Sequence, residues 1–221
     1  MSEPEPIVLL VDDDANFRRA VHRLLKTEAF VVELFASAEE LLKRGPLAGP
    51  GCILLDLQLP RRSGLDLQAE FVSRGITTPI VFLTGHGDVP SSVTAMKGGA
   101  IDFLTKPVQK TELVAAIREA FKRDRAWRAA DAWKQEALAR LQALTPRETD
   151  VLRLVVRGML NKQIAAELGT SEATVKVHRG RVMQKMQVPS VAELVRVAEA
   201  AGVNGAPHAA SSPVPAADED R

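Results

Sequence analysis

The sequence predicts an α/β domain, a doubly wound five-stranded parallel sheet, followed by a separate all-α domain of four helices. Three observations predict it. Five short, β-branched-rich apolar runs alternate with amphipathic segments through the first half, and continuous apolar runs of this kind suit parallel strands covered by helices on both faces. After Phe121 the strand signals stop. Beyond Leu144, helix start and stop signals recur at short intervals. At 221 residues and 46% apolar content the chain is long enough for one large core or two small ones.

The expected strands are Ile7–Val11, Val31–Phe35, Cys52–Leu55, Ile80–Leu83 and Phe103–Leu104. Ser37-Ala38-Glu39-Glu40 reads as a capping box opening one of the intervening helices. Gly45, Pro46, Gly49, Pro50 and Gly51 break the chain before the third strand. This first domain spans 1–121. The segment 122–144 is rich in Ala, Arg, Glu and Gln and has neither Gly nor Pro, which predicts helix. It either continues the preceding helix as a rod or frays into a loose linker; residues 122–142 are assigned as a helical linker, and both tryptophans, Trp127 and Trp133, lie in it. Thr145-Pro146-Arg147-Glu148 combines an N-cap, a proline at the first helical position and a capping-box glutamate, and Gly158 ends that helix. Asn161 can cap a second helix ending at Gly169. Ser171 caps a third, and Ser190-Val191-Ala192-Glu193 is a capping box for a fourth, which ends at Gly202. The helical domain is 143–204, and the Ala/Pro/Ser-rich stretch 205–221 is expected to be disordered.

Charge and composition narrow the function classes. Lys and Arg number 29 against 28 Asp and Glu, a net charge of +1, which excludes a uniformly basic coat or an acidic solvating chain and makes any nucleic-acid site local. The helical domain carries the modest positive excess, nine basic residues against six acidic in 143–204. The single cysteine, Cys52, cannot form an intramolecular disulfide and reads as a buried small hydrophobe; with no Cys/His metal spacing, a reducing compartment is expected. No window approaches the ~18 consecutive apolar residues of a membrane span, and the N-terminus lacks a basic run followed by an apolar stretch. The expectation is a soluble, cytoplasmic protein without membrane contact.

Chemistry concentrates at the carboxyl ends of the strands. Asp12, Asp13 and Asp14 follow the first strand, Asp56 ends the third, Thr84 ends the fourth, and Lys106-Pro107 follows the fifth. In an open parallel sheet the ligand crevice forms outside those ends, where the strand order reverses. Several carboxylates in one crevice disfavour each other's ionisation, so a cation is implied. Oxygen ligands of this kind suit Mg²⁺. With the metal and Lys106 offsetting charge, one carboxylate can attack a phosphoryl donor as nucleophile, and Thr84 can donate its hydroxyl to a phosphoryl oxygen. Each residue also has a plainer use: Asp12–Asp14 as helix caps, Lys106 on the surface, Thr84 as a cap, Phe103 as core. His86 has no assigned role.

Val11-Asp12-Asp13, Leu55-Asp56-Leu57-Gln58-Leu59-Pro60 with Gly64, Thr84-Gly85-His86-Gly87-Asp88 and Asp102-Phe103-Leu104-Thr105-Lys106-Pro107 together resemble the flavodoxin-like receiver domain of two-component response regulators. The resemblance implies Asp56 as phosphoacceptor, with Asp13, Asp56 and the Gln58 carbonyl as direct Mg²⁺ ligands and Asp12 acting mainly through metal-bound water. It implies Thr84 and Phe103 as the switch pair, with Thr84 drawn inward and the Phe103 ring turning in, and a cis Lys106–Pro107 peptide, which proline makes inexpensive.

Asn161–Leu168, a turn at Gly169-Thr170 and Glu172–Met186 have the helix-turn-helix form, in which the second helix enters the major groove. Helical spacing sends Val175, Val182 and Met186 inward and Thr174, Lys176, Val177, Gly180, Arg181 and Gln184 outward. That outer face suits base edges, while Arg179 and Lys185 lie towards the sides, where phosphate contacts position without specifying. His178 reads as a half-buried packing residue rather than a ligand. Leu144-Thr145-Pro146-Arg147-Glu148, Gly158, Asn161-Lys162-Gln163-Ile164-Ala165 and Ser171–His178 resemble the LuxR-type DNA-binding domain. By resemblance Lys176 and Val177 read bases, and Lys162 and Thr174 meet the backbone. Gly180 replaces the long basic residue many relatives carry; with Arg179 beside it, and the Thr-Gly-His-Gly-Asp-Val-Pro loop, it points to the FixJ branch.

The two resemblances imply a response-regulator transcription factor: a sensor histidine kinase phosphorylates Asp56, and the modified protein, a homodimer, binds double-stranded promoter DNA, with RNA polymerase a further candidate partner. It is not expected to be an enzyme beyond its own phosphotransfer and slow dephosphorylation. Two other readings stay open, a Mg²⁺-dependent phosphohydrolase using Asp56, disfavoured because Gln58 stands where such enzymes carry a second acid, and a phosphate-independent DNA-binding dimer. A quorum-type, ligand-sensing LuxR regulator fits less well, since the first half is a βα repeat with an acidic crevice.

Overall fold

A computed structural model describes residues 4–85 and 89–203. His86, Gly87 and Asp88, and the expected disordered tail 205–221, lie outside the described residues. The chain divides into two compact units, with the division between Ala129 and Ala130.

The first unit alternates strand and helix: β1 (Ile7–Val11), α1 (Ala15–Thr27), β2 (Val31–Phe35), α2 (Ala38–Arg44), β3 (Gly51–Asp56), α3 (Gly64–Ser73), β4 (Ile80–Thr84), α4 (Val89–Lys97), β5 (Asp102–Thr105) and the first part of α5 (Lys110–Gln142), whose remaining turns fall in the second unit. The strands form one parallel sheet in the order β2-β1-β3-β4-β5, the predicted doubly wound arrangement. Successive side chains of a strand point to opposite faces, and the two resulting cores show it. Leu9, Val11, Ile53, Leu55 and Phe82 pack with Leu41 of α2, Leu67 and Phe71 of α3 and Ala95 of α4. Val8, Leu10, Cys52, Leu54, Val81 and Leu83 pack with Val21 and Leu25 of α1 and Leu113, Ile117 and Phe121 of α5. Cys52 is fully buried, which pushes its thiol pKa up and leaves it inert.

The expectation of strands buried on both faces fails at β2. It is an edge strand with Val31 and Leu34 exposed, and Glu33 at its centre pairs with Arg44 at 2.9 Å; a charged, short edge discourages pairing with another chain. The predicted capping box at Ser37 is half formed. Ser37 accepts from the Glu40 N–H, but the Glu40 carboxylate accepts from Ala36 instead of Ser37.

Register places the site. β1 and β3 pair Leu10 with Leu54 and Val11 with Leu55, so the next residues, Asp12 and Asp56, emerge side by side at the carboxyl edge. Gly64 opens α3 directly beneath them. A Cβ at Gly64 would stand 2.4 Å from the Asp56 carbonyl oxygen and 3.0 Å from a Phe82 ring carbon, so glycine is required there by close approach.

The second unit contains α6 (Pro146–Val156), α7 (Asn161–Glu167), α8 (Glu172–Lys185) and α9 (Val191–Ala200). Thr145 and Glu148 form the predicted reciprocal capping box of α6, with Pro146 at its first position. The α7 cap differs from expectation: Leu160 occupies the N-cap position, its N–H donating to Gln163 at 2.8 Å, and Asn161 instead accepts from Arg179 at 2.7 Å. At α9, Ser190 caps the Glu193 N–H, but Glu193 pairs with Arg196 rather than completing a box. Gly169, at φ +60°, makes the left-handed turn between α7 and α8 that a β-carbon would strain. The core joins Val151, Leu152 and Val155 of α6, Ile164 of α7, Val175 and Val182 of α8 with Met186 just beyond it, Leu194 and Val197 of α9, and Ala137 of α5.

One charge pair is built into this core. Glu148 is 3% exposed, and its Oε2 accepts from the Lys185 ammonium at 2.6 Å and the Thr145 N–H at 2.9 Å. These bonds, Lys185 foremost, hold its pKa down at about 2.

Gly64→Ala is expected to destabilise the sheet unit by about 1–3 kcal/mol through overpacking, read as a lowered denaturant midpoint for that unit; an unchanged midpoint would show that the Asp56 backbone yields freely. The Glu148 shift gives a signed pH dependence. Its folded pKa is depressed, so the associated stability is complete above the ordinary value of 4.5 and is lost as pH falls towards 2. Lys185→Met should therefore move the acid-unfolding limb of the helical unit to higher pH, followed by circular dichroism, with little change in shape of the curve above pH 6.

Candidate functional site

The acidic triplet after β1 divides its labour. Asp14 caps α1, accepting from Asn16 N–H at 2.8 Å and Phe17 N–H at 3.3 Å, and these bonds hold its carboxyl below the usual range. Asp12 is fully buried, and Asp13 is exposed. Asp56, the last residue of β3, is buried. The Lys106 ammonium, delivered from the end of β5, bridges the two buried acids, 2.6 Å from Asp12 Oδ2 and 2.8 Å from Asp56 Oδ2. The remaining oxygens are held by backbone: Asp14 N–H donates to Asp12 Oδ1 at 2.9 Å, and Gln58 N–H donates to Asp56 Oδ1 at 3.1 Å.

Burial is the largest influence on Asp12 and raises its pKa, with Lys106 opposing. Burial also works against the charge on Lys106, but hydrogen bonds to Asp12 and Asp56 outweigh it and raise its pKa. Oxygens of Asp12, Asp13 and Asp56 lie within 4.8 Å of one another, an acidic cluster able to hold a metal ion. A hard cation with oxygen ligands matches that donor set, since one added lysine cannot neutralise three carboxylates.

Thr84 ends β4, fully buried, and its carbonyl accepts from the Lys106 N–H at 2.7 Å. Phe103 on β5 is half-buried, tilted against Phe82 with ring centroids 6.3 Å apart. The Lys106–Pro107 peptide is cis. Gln58 is exposed at the mouth of the crevice. The sequence reading missed Phe17, whose ring lies 4.2 Å under the Lys106 ammonium, and Arg18, whose guanidinium donates to the Asp12 carbonyl. Both occupy α1 positions that helical spacing alone assigns to packing or solvent. A separate groove of about 480 Å³, lined by Phe71, Ile76, Pro79, Asp124 and Trp127, opens at the start of β4 and shares no residue with the acidic cluster.

In the helical unit, the α8 faces sort as helical spacing requires. Val175, Val182 and Met186 are buried, while Thr174, Lys176, Val177, Gly180, Arg181 and Gln184 are exposed. Lys162 is exposed on α7. Ser171 caps α8 and its hydroxyl lies 2.9 Å from that of Thr174. Arg179 and Lys185, read from sequence as phosphate contacts, are both engaged inside the unit, Arg179 with Asn161 and Lys185 with Glu148. Sequence separations of 18 and 37 residues hid both pairings. His178 is half-buried, and its buried Nδ1 has no hydrogen-bond partner among the described residues.

Comparison with known proteins matches each of the two units to a family. Residues 8–118 match the family described as response regulator receiver domain, and residues 142–198 match the bacterial regulatory proteins of the LuxR family. Nodulation protein W of Bradyrhizobium diazoefficiens is 44% identical over 198 residues, covering 90% of this chain and 87% of that protein. The solved structure of the response regulator StyR has a TM-score of 0.79 at 42% identity, over 89% of this chain and 99% of that one. Full-length FixJ from B. japonicum superposes with a TM-score of 0.55 at 38% identity, covering 92% of this chain and 100% of FixJ. The acidic crevice and the exposed helix face thus sit in a receiver and a LuxR-type reader respectively, and the chain belongs to the FixJ-like response regulators, transcription regulators that join these two domains.

Proposed function

We propose that Asp56 is the phosphoacceptor of a two-component pathway and that its phosphorylation controls sequence-specific DNA binding through α8. The observation that carries this reading is the Lys106 ammonium bridging Asp12 and Asp56 beside Asp13 at the carboxyl edge of the sheet. A carboxylate oxygen of Asp56 attacks the phosphorus of a phosphohistidine on a sensor histidine kinase. An O–P bond forms as the P–N bond breaks, and the imidazole nitrogen takes back the electron pair. Lys106, already within 2.8 Å of Asp56, moves its hydrogen bond to a phosphoryl oxygen, and Thr84 donates its hydroxyl to another. Mg²⁺, held by Asp13, Asp56 and the Gln58 carbonyl and through water by Asp12, would supply the remaining neutralising charge on the phosphoryl group.

Thr84 and Phe103 form the switch: Thr84 moves towards the phosphoryl group, the half-buried Phe103 ring turns inward, and the α4–β5 face is remodelled. The domain boundaries that go with this reading are 1–121 for the receiver, 122–142 for the linker, 143–204 for the DNA reader and 205–221 for the tail. The phosphorylated chain acts as a homodimer on promoter DNA, in the cytoplasm, with RNA polymerase as a downstream partner. Among the described residues no helix is long and apolar enough to cross a membrane. Lys176 and Val177 read base edges, with Arg181 on the same outward face available to guanine or phosphate; Lys162 and Thr174 meet the backbone, and Arg179 and Lys185 flank them with part of their donors tied inward. Gln58, in place of an acid, gives no group to activate water, which argues against a phosphohydrolase with rapid turnover.

Capture of genomic DNA fragments by the purified protein with Mg²⁺, with and without acetyl phosphate, tests the switch. Donor-dependent enrichment of discrete fragments that disappears in Asp56→Asn is expected; enrichment indifferent to donor and to Asp56 would leave a phosphate-independent DNA binder. On such a fragment Lys176→Ala should cost about 1–3 kcal/mol and relax the sequence preference. Equal losses on random DNA would assign Lys176 to phosphate instead.

A further inference from the structure

Arg140 lies in the last turn of α5, ahead of the segment that matches the LuxR family, and no sequence motif marks it. Its side chain is 16% exposed. One guanidinium nitrogen donates to the Met186 carbonyl at 3.2 Å, and another donates to Glu136 Oε1, one turn back on α5, at 2.5 Å. Met186 is the C-cap of α8, where backbone carbonyls have lost their helical partners. The turn that follows satisfies two of them, with Gln187 N–H donating to the Gln184 carbonyl and Val188 N–H to that of Met183. The Met186 carbonyl is satisfied by Arg140, and a cation there also complements the negative end of the helix dipole.

Arg140 stands on a firm base. Ala137 is buried in the helical core, and Leu138, Leu141 and Leu144 pack against it. The neighbouring residue on α8, Lys185, is tied to Glu148 of α6. The carboxyl end of α8 is thus gripped from two elements by two charge-assisted bonds.

We propose that Arg140 is a positioning residue for sequence-specific DNA binding: anchored by Glu136 and the packed end of α5, it fixes the axis of α8 and with it the placement of the base-reading face. This rests on the proposal that α8 reads bases. Ten residues separate Met186 from Lys176, about 15 Å along the helix, so a tilt of about four degrees at the gripped end displaces Lys176 by about 1 Å. Base contacts need placement within about 0.5 Å, whereas phosphate contacts tolerate more. The DNA-reading unit therefore begins within α5, and a change in the last two turns of that helix alters base reading without touching a base contact.

The test uses the full chain with Mg²⁺ and acetyl phosphate, titrated against a genomic fragment enriched by the wild-type protein and against a random duplex of equal length. Each titration is run well below the unfolding temperature of the variant. Arg140→Met is expected to weaken fragment binding about tenfold, the equivalent of about 1.4 kcal/mol, and random-duplex binding less than about twofold. The slope of log affinity against log salt should be unchanged, since a lost phosphate contact would lower it by about 0.9. Arg140→Lys, which keeps the charge and a donor, should recover part of the loss. Glu136→Gln, which loosens Arg140 without removing it, should give a smaller loss of the same kind and serves if Arg140→Met does not fold. Equal losses on both duplexes, no loss on either, or a reduced salt slope would overturn the positioning role. Lys176→Ala and Val177→Ala, run alongside, separate the two readings: if neither lowers the fragment-to-random ratio, base reading through α8 falls and the positioning role with it. If either lowers the ratio while Arg140→Met does not, the positioning role alone falls.

Discussion

The Lys106 ammonium between Asp12 and Asp56 is the interaction around which the receiver is arranged. Two buried carboxylates at the ends of adjacent strands repel, and water cannot screen them as it would at the surface. A single cation, brought from the other side of β4, bridges the pair. That requirement reaches back into the sheet. The β1–β3 register sets the acids side by side, and β4 and β5 pair so that Lys106 N–H meets the Thr84 carbonyl. Gly64 lets α3 start against the Asp56 backbone. The Phe17 ring gives the half-buried lysine a second favourable surface. The pair nonetheless leaves Asp13 outside it, exposed at the rim with an oxygen near the others. The crevice is balanced closely enough to fold and acidic enough to attract a further cation.

The helical domain uses a buried charge pair differently. Glu148 serves two functions at once, as the return half of the α6 capping box and as the partner of Lys185 on α8. The first is local, three residues apart, and the second joins two helices. Removing Lys185 leaves the Glu148 carboxylate buried without its partner, the situation in which such pairs matter most, whereas Lys185 itself is 35% exposed and can turn to water. Arg179 makes a second cross-helix contact from α8 at lower burial, a charge-assisted hydrogen bond to the neutral amide of Asn161 at the start of α7. The outward face of α8 is left with its exposed residues, while side-facing cations hold the helix to its neighbours. A helix proposed to read bases must present an exact surface, and fixing its flanks with charge leaves the outward residues unengaged by the rest of the unit.

Much of this was legible in the sequence because it depends on short-range grammar. The continuous apolar runs of the strands, the break of pattern at Phe121, the Thr145-to-Glu148 box and the positions of Asp12, Asp56, Thr84 and Lys106 at or after those runs all follow from neighbours within a few residues. What escaped is competition among possible partners, local and distant, together with the order of strands in the sheet. Asn161 has the chemistry of a cap, but Arg179 takes its oxygen, and Leu160 holds the cap position with Gln163 serving its N–H. Glu40 satisfies Ala36 rather than Ser37. Lys185 looks like a side-facing phosphate contact until Glu148, 37 residues earlier, is placed beside it. Val31 and Leu34 read as doubly buried because composition records a strand's hydrophobicity and not its place at the edge of the sheet.

Helix α5 shows why the boundary between domains resists a single residue number. Leu113, Ile117 and Phe121 belong to the receiver core. One turn on, Asp124 is buried and accepts from the Gly51 N–H at 2.9 Å and from Arg128 at 2.7 Å, so the receiver holds the helix beyond the point where strand signals end. From Ala137 onward the same helix is part of the helical core. Between these stretches the side chains are largely exposed, Trp133 among them at 43%, and the helix there is maintained by backbone bonds and by good helix-forming residues such as Ala, Lys, Gln and Glu. Helix formation is cooperative, so an exposed stretch is stabilised by the packed turns that continue it on either side. The absence of Gly and Pro from 122–144 then has a physical reading: it keeps unpacked turns helical where no core holds them. A linker defined by sequence pattern and a linker defined by packing are different objects, and in this chain the second is the shorter because each domain packs part of the helix into its own core.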